Sequence, residues 1–555
     1  MNKRKFYLIA GSTLMLAAPI VGVVACGNST DTPMTLTLSM RSEDINPWRN
    51  AMDKFTEKTG IKVKTVLVGD QKANYATWSG TDSMPDIALI DQNTAKDAIK
   101  ENKWFQPIDL TEIKDAKYDV VNATPQEFDF ENEDKYAASK VFASFYSNNV
   151  ANGGGDHNVI GIPYGYGSQG IFFNKLNLDL TKPLNAYVPK KDGTFAEIEI
   201  AQNPTMDTIK TFLANSGTVT DLKTNNVSKS DQEIDTAIKL VNPNLEWYNK
   251  GPYAMYQRLG SIGKSLGANN SPGWIKDIGF PFELIASSGD GIFNGTVLDD
   301  AKLQTLFPVE SGEKSSEAEF LKLYQSYFGY FNRNGSGSYA ANPKSVGTPG
   351  EADALWEGQG NIMLGYKWQS KMIKDNWYRR TSPNDNNELY DNAIEVLPSP
   401  YGSIGVDALA LFKNLLGQKL ENAKKFLRFV FEQDETDNAY KITLQKTISP
   451  IIAAESKQKN AIDSNNALTI NERLRQKAFF DSSKGESYNN VSGGIMASST
   501  DGIYDIYNGQ YGGDDGLKGV LLGDSRPNDY TTWKAKFDSI LSNVRNEIAI
   551  KNVGI

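Results

Sequence analysis

The 555-residue sequence holds one cysteine, Cys26, and one histidine, His157. A single cysteine allows no intrachain disulfide. The histidine stands in a glycine-rich loop, Gly153 to Asn158, and reads as an exposed loop residue. Cys/His zinc sites and Ser-His-Asp or Cys-His catalysis therefore have almost nothing to draw on. Positive charge is also short, with 58 Lys and Arg against 67 Asp and Glu and a net charge of −9. A nucleic-acid binder normally carries a basic footprint, so no nucleic-acid partner is expected. A chain lying flat on anionic lipid finds no support in that balance either. After the first 25 residues no apolar run approaches 18 residues, so nothing further is expected to span a bilayer. The turn Gly512-Gly513-Asp514-Asp515-Gly516 lacks the loop pattern of an EF-hand. It reads as a solvated turn, and neither a metal nor a cofactor is expected.

What is present is a globular composition, 39% apolar, with 25 Tyr and 9 Trp among its aromatics. Such side chains make flat, amphipathic binding surfaces. The length points to two or more lobes. At the N-terminus, Lys3, Arg4 and Lys5 precede a charge-free run from Phe6 to Ala25, interrupted by Pro19 and Gly22. A basic start, an apolar middle and small residues before a cut form a secretory signal. The segment Val23-Val24-Ala25-Cys26 resembles the lipobox of bacterial lipoproteins. That resemblance implies that residues 1–25 are a signal peptide and that Cys26 is lipidated. Residues 26–33 then form a tether to the extracellular face of the cell membrane. An uncleaved anchor is the competing reading, because about 20 apolar residues also suffice to cross a bilayer.

Further along, Met34, Leu36, Leu38 and Met40 alternate with polar residues, which predicts a strand. Asn46-Pro47 starts a helix in which Trp48, Met52 and Phe55 recur at helical spacing, and Gly60 stops it. The same spacing assigns Trp48 to the core. Ile61, Val63 and Val66 predict a second strand, and Asp86 to Ile90 a buried one. Helical sequence is expected from Asn93 to Trp104. This order starts an α/β lobe with a mainly parallel sheet. Ligands lie beyond the carboxyl ends of such strands, which singles out Arg41, Glu43, Asp44 and Asp91. Residues 111–158, 179–250 and 280–350 read as excursions of loops and helix candidates, among them Asp231 to Leu240. Ile362 to Gly365 reads as a short strand after a glycine turn. Leu420, Ala423, Phe426, Leu427, Val430 and Phe431 form the stripe of an amphipathic helix, and Thr532 to Ile548 read as helical.

Six segments, in order, resemble family 1 extracellular solute-binding proteins, the capture subunits of carbohydrate-uptake ABC transporters. They are Trp48 with Phe55 to Val63, Met84-Pro85-Asp86-Ile87-Ala88, and Gly161-Ile162-Pro163-Tyr164-Gly165 with Phe172-Phe173-Asn174-Lys175. After these come Gly358 to Trp368, Leu397-Pro398 with Ala423 to Phe429, and Ser449-Pro450. The chain is longer than is usual in that family, and Tyr366 and Trp368 depart from its usual spacing. The resemblance implies a two-lobed periplasmic-binding-protein-like fold of type II, each lobe a mainly parallel sheet flanked by helices, with the ligand cleft between them. It places lobe 1 at 34–167 and 398–435, and lobe 2 at 168–397 and 436–555. It further implies a monomeric, non-enzymatic receptor whose partners are a carbohydrate and the permease subunits of an ABC transporter.

A sugar has apolar C–H faces and a rim of hydroxyls. Aromatic rings cover the faces, and charged groups bind hydroxyls at roughly 1.5–3 kcal/mol per well-made bond. Trp368 and Tyr366, following a glycine turn, are the leading stacking candidates. Tyr164, Tyr166, Trp78 and Tyr401 are further aromatic candidates. Glu43, Asp91, Arg41 and Asp44 are the hydroxyl-binding candidates, with helix capping as the alternative for Glu43 and Asp91. Two other functions compete. A surface glycoside hydrolase needs two carboxylates about 5–10 Å apart across a sugar cleft, which 67 acidic residues do not exclude. An adhesin-like lipoprotein grown from the same fold would use the excursions as its surface.

Overall fold

The computed structural model describes residues 35–91, 103–115, 158–189, 195–214, 230–241, 251–267, 362–370, 386–399, 405–431, 447–449 and 452–482, with isolated short pieces between them and near residue 535. The expected signal, tether and calcium-like turn lie outside the described residues; of the helix expected from Thr532 to Ile548, Ala535 and Ser539 are described, as helical and exposed.

Thr35–Met40 is β1, with Leu36, Leu38 and Met40 fully buried. A 3₁₀ turn over Ser42–Asp44 leads into α1 (Ile45–Thr59). Gly60 ends this helix in the left-handed conformation, φ 71°, and its N–H bonds the Thr56 carbonyl at 2.8 Å. A Cβ would strain that cap, so the glycine is a conformational requirement. Next come β2 (Lys62–Leu67), α2 (Gln71–Trp78), β3 (Ile87–Asp91), β4 (Phe105–Gln106), β5 (Ile108–Asp109) and α3 (Leu110–Asp115). Of the helix expected from Asn93, Thr94 and Ala98 are described as helical; Trp104 is left-handed, φ 65°, and stands outside it.

The middle of the chain supplies β6 (Asn158–Val159), β7 (Ile162–Gly167), β8 (Gln169–Asn174) and the antiparallel pair β9 (Leu184–Pro189) and β10 (Phe195–Ala201). Helices α4 (Met206–Ala214), α5 (Asp231–Val241) and α6 (Gly251–Leu266) follow. Short strands β11 (Trp274–Ile275), β12 (Phe293–Asn294), β13 (Val297–Leu298), β14 (Arg333–Asn334) and β15 (Ser338–Tyr339) precede β16 (Ile362–Tyr366). The described chain closes with α7 (Asn386–Ala393), β17 (Ile394–Pro398), β18 (Gly405–Phe412), α8 (Gly417–Phe431), α9 (Ile452–Ser464) and α10 (Ile470–Ser482).

Two mixed sheets carry the architecture. The first runs β2-β1-β3-β18-β4, with β7 also paired to β18. The second runs β11-β16-β8-β17. The fold is α/β as expected, but most ladders in these sheets are antiparallel. In the first sheet β18 opposes β3, β4 and β7, and in the second β8 opposes β16 and β17. All the other strands of each sheet share one direction. The reason is topological. The chain leaves the first sheet at the carboxyl end of β7 and enters the second at once as β8. It leaves the second at the carboxyl end of β17 and re-enters the first as β18. A strand that enters at the end where its neighbours finish must run against them.

Helices α1 and α8 cover one face of the first sheet. The Phe55 ring meets Phe426 at 5.1 Å and Phe429 at 5.4 Å, and Trp48 meets Tyr164 edge-on at 5.0 Å. Trp48 is 1% exposed, as its spacing predicts. Tyr75 of α2 packs on Phe412, Phe105 and Trp104 at 5.2–6.0 Å, and its hydroxyl meets Ser39 Oγ at 3.2 Å. Asp86, just before β3, accepts the Thr37 N–H at 2.8 Å and the Thr37 hydroxyl at 3.0 Å, and Lys419 of α8 reaches it at 3.5 Å. This carboxylate is a fastener between β1, β3 and α8.

Helix α10 lies on β8 and β17. A Cβ on Gly170 would stand 2.8 Å from Val396 Cγ1 and 3.1 Å from Phe479 Cε1, so β8 and α10 meet only because residue 170 has no side chain. Arg475 of α10 is 2% exposed. Its guanidinium donates to Asp391, to Glu472 at 2.6 Å and to the Ile394 carbonyl at 2.9 Å, and it lies 4.7 Å from the Tyr390 ring centre. Removing one partner of a buried ion pair typically costs about 3–5 kcal/mol, because the remaining charges stay desolvated. Arg475→Ala is therefore expected to lower stability by that order in urea denaturation. An unchanged midpoint would remove this network from the list of what holds α10 down.

Candidate functional site

The two sheets share one edge. Gln169, the first residue of β8, pairs with Tyr366, the last of β16, and Gly170 pairs with Pro398, the last of β17. On the other side, Gly405 at the start of β18 pairs with Gly167 at the end of β7, and Asp407 pairs with Asp91 at the end of β3. Strand ends of both sheets thus converge on the two crossings at 167–169 and 398–405. A third segment, Thr447 to Ser449, joins them, with Ile448 bridged to Tyr166. The aromatic ring of Tyr366 lies at this junction, since a Cβ on Gly167 would sit 3.5 Å from its Cδ1.

Charge collects on the first-sheet side. Arg41 Nη2 donates to Asp91 Oδ2 at 3.1 Å. The other Asp91 oxygen accepts the Thr94 N–H at 2.8 Å, so the capping role and an ion pair coexist in one carboxylate. Asp44 precedes α1 but makes no side-chain cap bond. Asp407 lies across the ladder from Asp91. Tyr164 reports the field of this group. Burial pushes its hydroxyl pKa well above the usual value, the charges of Asp407, Asp44 and Asp91 push the same way, and Arg41 opposes them. Among the described residues no group of three or more His, Cys, Asp or Glu could hold a metal ion.

Aromatic surface collects on the second-sheet side. After β16 the chain turns into a helical stretch at residues 367–370. Gln369 Oε1 accepts the Tyr366 N–H at 2.7 Å, a side chain reaching back to the start of its own turn. Gly365 makes room for it, because a Cβ there would come within 2.6 Å of Gln369 Oε1 and of Met363 Cε. Tyr366 and Trp368 remain partly exposed, while Lys367 between them is 4% exposed.

The sequence-derived candidates therefore separate. Arg41, Asp44 and Asp91 gather around Tyr164 on one side, and Tyr366 lies against the crossing on the other, with Trp368 two residues on. Tyr166 is a junction residue, 1% exposed and bridged through its backbone. Trp78 sits at the far end of α2, packed on Tyr75 at 6.2 Å, two helical turns from Gln71, which reaches the Leu89 carbonyl beside the junction. The Glu43 side chain, Tyr401 and Cys26 lie outside the described residues. Sequence reading passed over two residues here. Asp407 is a lone charge in the apolar run Val406 to Phe412, and Lys367 is a lone charge between two aromatics. Each breaks the pattern around it, which is the signal that marks it.

No family model matches the chain, and no curated protein matches it in sequence. Solved structures resemble it in fold, at low sequence identity. The maltose-maltodextrin binding protein of Alicyclobacillus acidocaldarius is 11% identical, with a TM-score of 0.46, over 92% of this chain and 100% of that one. UgpB from Mycobacterium tuberculosis, in complex with glycerophosphocholine, is 14% identical with a TM-score of 0.44, over 92% and 99%. The spermidine/putrescine ABC transporter substrate-binding protein PotD of Streptococcus pneumoniae is 13% identical with a TM-score of 0.39, over 93% and 99%.

The Arg41 and Asp91 side chains keep 43% and 34% of their exposure. Ion pairs of that kind contribute about 0–1 kcal/mol. Arg41→Ala is expected to lower the unfolding free energy in urea by no more than about 1 kcal/mol. A loss of several kcal/mol would assign the pair to the scaffold instead.

Proposed function

We propose that the chain is an extracellular, lipid-anchored receptor that captures a carbohydrate and delivers it to an ABC transporter. One observation carries this reading. The carboxyl ends of strands from two sheets meet at a shared junction, with charged groups on one side and a partly exposed aromatic arm on the other. Two bodies that exchange chain at such a junction can close over a solute, and preferential binding to the closed form drives closure. The first lobe in this reading is 34–167 with 398–435 and the second 168–397 with 436–555, a division supported by β1 to β4, β7 and β18 sharing one sheet and β8, β11, β16 and β17 the other. In this reading Tyr366 and Trp368 cover the apolar face of the sugar. Arg41, Asp44 and Asp91 take its hydroxyls, and Asp407 adds a further acceptor. Anchorage through Cys26 keeps the receptor beside the permease. Neither a catalytic constellation nor a cofactor is part of the proposal.

The test is thermal unfolding of the purified protein against maltodextrins, putrescine, spermidine and glycerophosphocholine, since a ligand that binds only the folded state raises the melting temperature. A maltodextrin or related sugar is expected to raise it by several degrees. Tyr366→Ala and Trp368→Ala should leave the unliganded melting temperature within about 2 °C, as truncations outside the core do, and should reduce the ligand-induced rise. A shift from spermidine alone would transfer the site to a cationic solute. Release of shorter sugars from a maltodextrin would instead favour the hydrolase, and the absence of any shift would favour the adhesin.

A further inference from the structure

The two ends of Tyr164 are held very differently. Its ring is fixed, because Trp48 of α1 meets it edge-on at 5.0 Å and the residue is only 9% exposed. A ring so covered offers little to the face of a sugar. The hydroxyl is not fixed. Among the described residues it makes no hydrogen bond, yet its oxygen is not sealed from solvent. Tyr75, in the same apolar core, shows the usual arrangement, its hydroxyl meeting Ser39 Oγ at 3.2 Å and the Leu89 carbonyl at 3.5 Å. A buried hydroxyl without a partner is a cost that folds normally avoid. The backbone shows how this one arises. In the β7–β18 ladder Gly165 lies opposite Asp407, and Pro163 lies opposite the next residue, Ala408. Tyr164 is therefore the extra residue of a bulge, a device that re-aims a side chain. The charges of Asp407, Asp44, Arg41 and Asp91 all reach its hydroxyl, so that end faces the charged side of the junction.

We propose that Tyr164 is a specificity-determining residue of the solute site, acting through its hydroxyl rather than its ring: the bound sugar supplies, from one of its own hydroxyls, the hydrogen bond that the protein leaves unmade. The inference rests on the receptor reading and deepens it at the same site. The chemistry of the group suits the task. Asp91 and Asp407 as carboxylates only accept hydrogen bonds, and Arg41 only donates them. The phenol does both, so a sugar hydroxyl can use it in either sense. It is also the neutral member of the set, and so adds direction without adding charge. A site built to bond a solute hydroxyl discriminates against an analogue that lacks it, because its own polar group is then left unpaired. The ring, clamped on Trp48, keeps the oxygen in one place before the solute arrives, which spares the ordering cost at binding.

Tyr164→Phe in the purified full chain tests this, since it deletes the oxygen and keeps the ring on Trp48. Tyr75→Phe is the control, because that hydroxyl has partners inside the protein. Without solute, Tyr164→Phe is expected to leave the melting temperature within about 1 °C of the wild type, and Tyr75→Phe to lower it by about 2–4 °C. In calorimetric titration with maltotriose, Tyr164→Phe should weaken binding about tenfold, the factor that corresponds to ~1.4 kcal/mol of lost hydrogen bonding. A melting temperature that falls as far with Tyr164→Phe as with Tyr75→Phe would give the hydroxyl a partner within the protein and overturn the proposal. Unchanged affinity for maltotriose would overturn it too, while leaving the receptor reading in place. Wild-type binding confined to spermidine or glycerophosphocholine would keep a receptor but remove the sugar hydroxyl, and this proposal with it. A wild type that binds no solute of the thermal panel would remove the receptor reading and this inference together.

Discussion

The structure depends on one constraint. Two sheets exchange chain at a single shared edge, and that edge is where their strands finish. Each crossing strand must then enter its new sheet against the grain. This places β8 and β18 inside their sheets as reversed strands, hydrogen-bonded on both sides. The connections are thus embedded at both ends in ladders rather than attached at the margin. The same constraint sets the location of the site. Once the crossings occupy the edge where strands end, the residues just beyond those ends are brought face to face across the junction.

The junction itself is packed. Ser168 donates to the Phe479 carbonyl at 2.5 Å, and the Ser399 N–H donates to Ser482 Oγ at 2.8 Å, so the carboxyl-terminal turn of α10 holds both crossings. One contiguous apolar cluster includes Trp48 and Tyr164 from the first sheet's surroundings and Phe172, Val396 and Phe479 from the second's. Movement between the sheets therefore has to come from small backbone rotations within a packed, largely apolar junction. This gives weight to any polar group buried there, and Lys367 and Gln458 are such groups.

Much of the fold was legible because the chain advertises it locally. The alternation at Thr35–Met40, the stripe of α1 with its Gly60 stop and the stripe of α8 each follow from a period and a cap. The lone carboxylate of Asp86 was readable as part of a strand, but its task of tying β1 to α8 depends on residues 49 and 333 positions away. The reversed strands were not legible, since β8 and β18 carry the same apolar composition in either direction. The β9–β10 pair was missed in a region read as loops and helices, although Asp192-Gly193 between two apolar runs is a hairpin signal. Site residues divided on the same principle. The place of Arg41, Asp44 and Asp91 near strand ends is readable because a strand end is visible in sequence. The burial of Tyr166 and the packing of Trp78 on Tyr75 were not readable, because an aromatic in a glycine-rich or helical setting does not disclose which way it faces. Lys367 and Asp407 went unnoticed because their meaning comes from burial and from a partner strand far along the chain.

Among the described residues, strand β2 closes the first sheet on one side and pairs with β1, with Lys62 and Lys64 exposed along it. An unpaired strand edge is a template on which a second copy can build. Two such edges brought together would set these ammonium groups against their counterparts from the other molecule. The repulsion discourages strand-to-strand growth, so the margin of the sheet doubles as a guard against self-assembly.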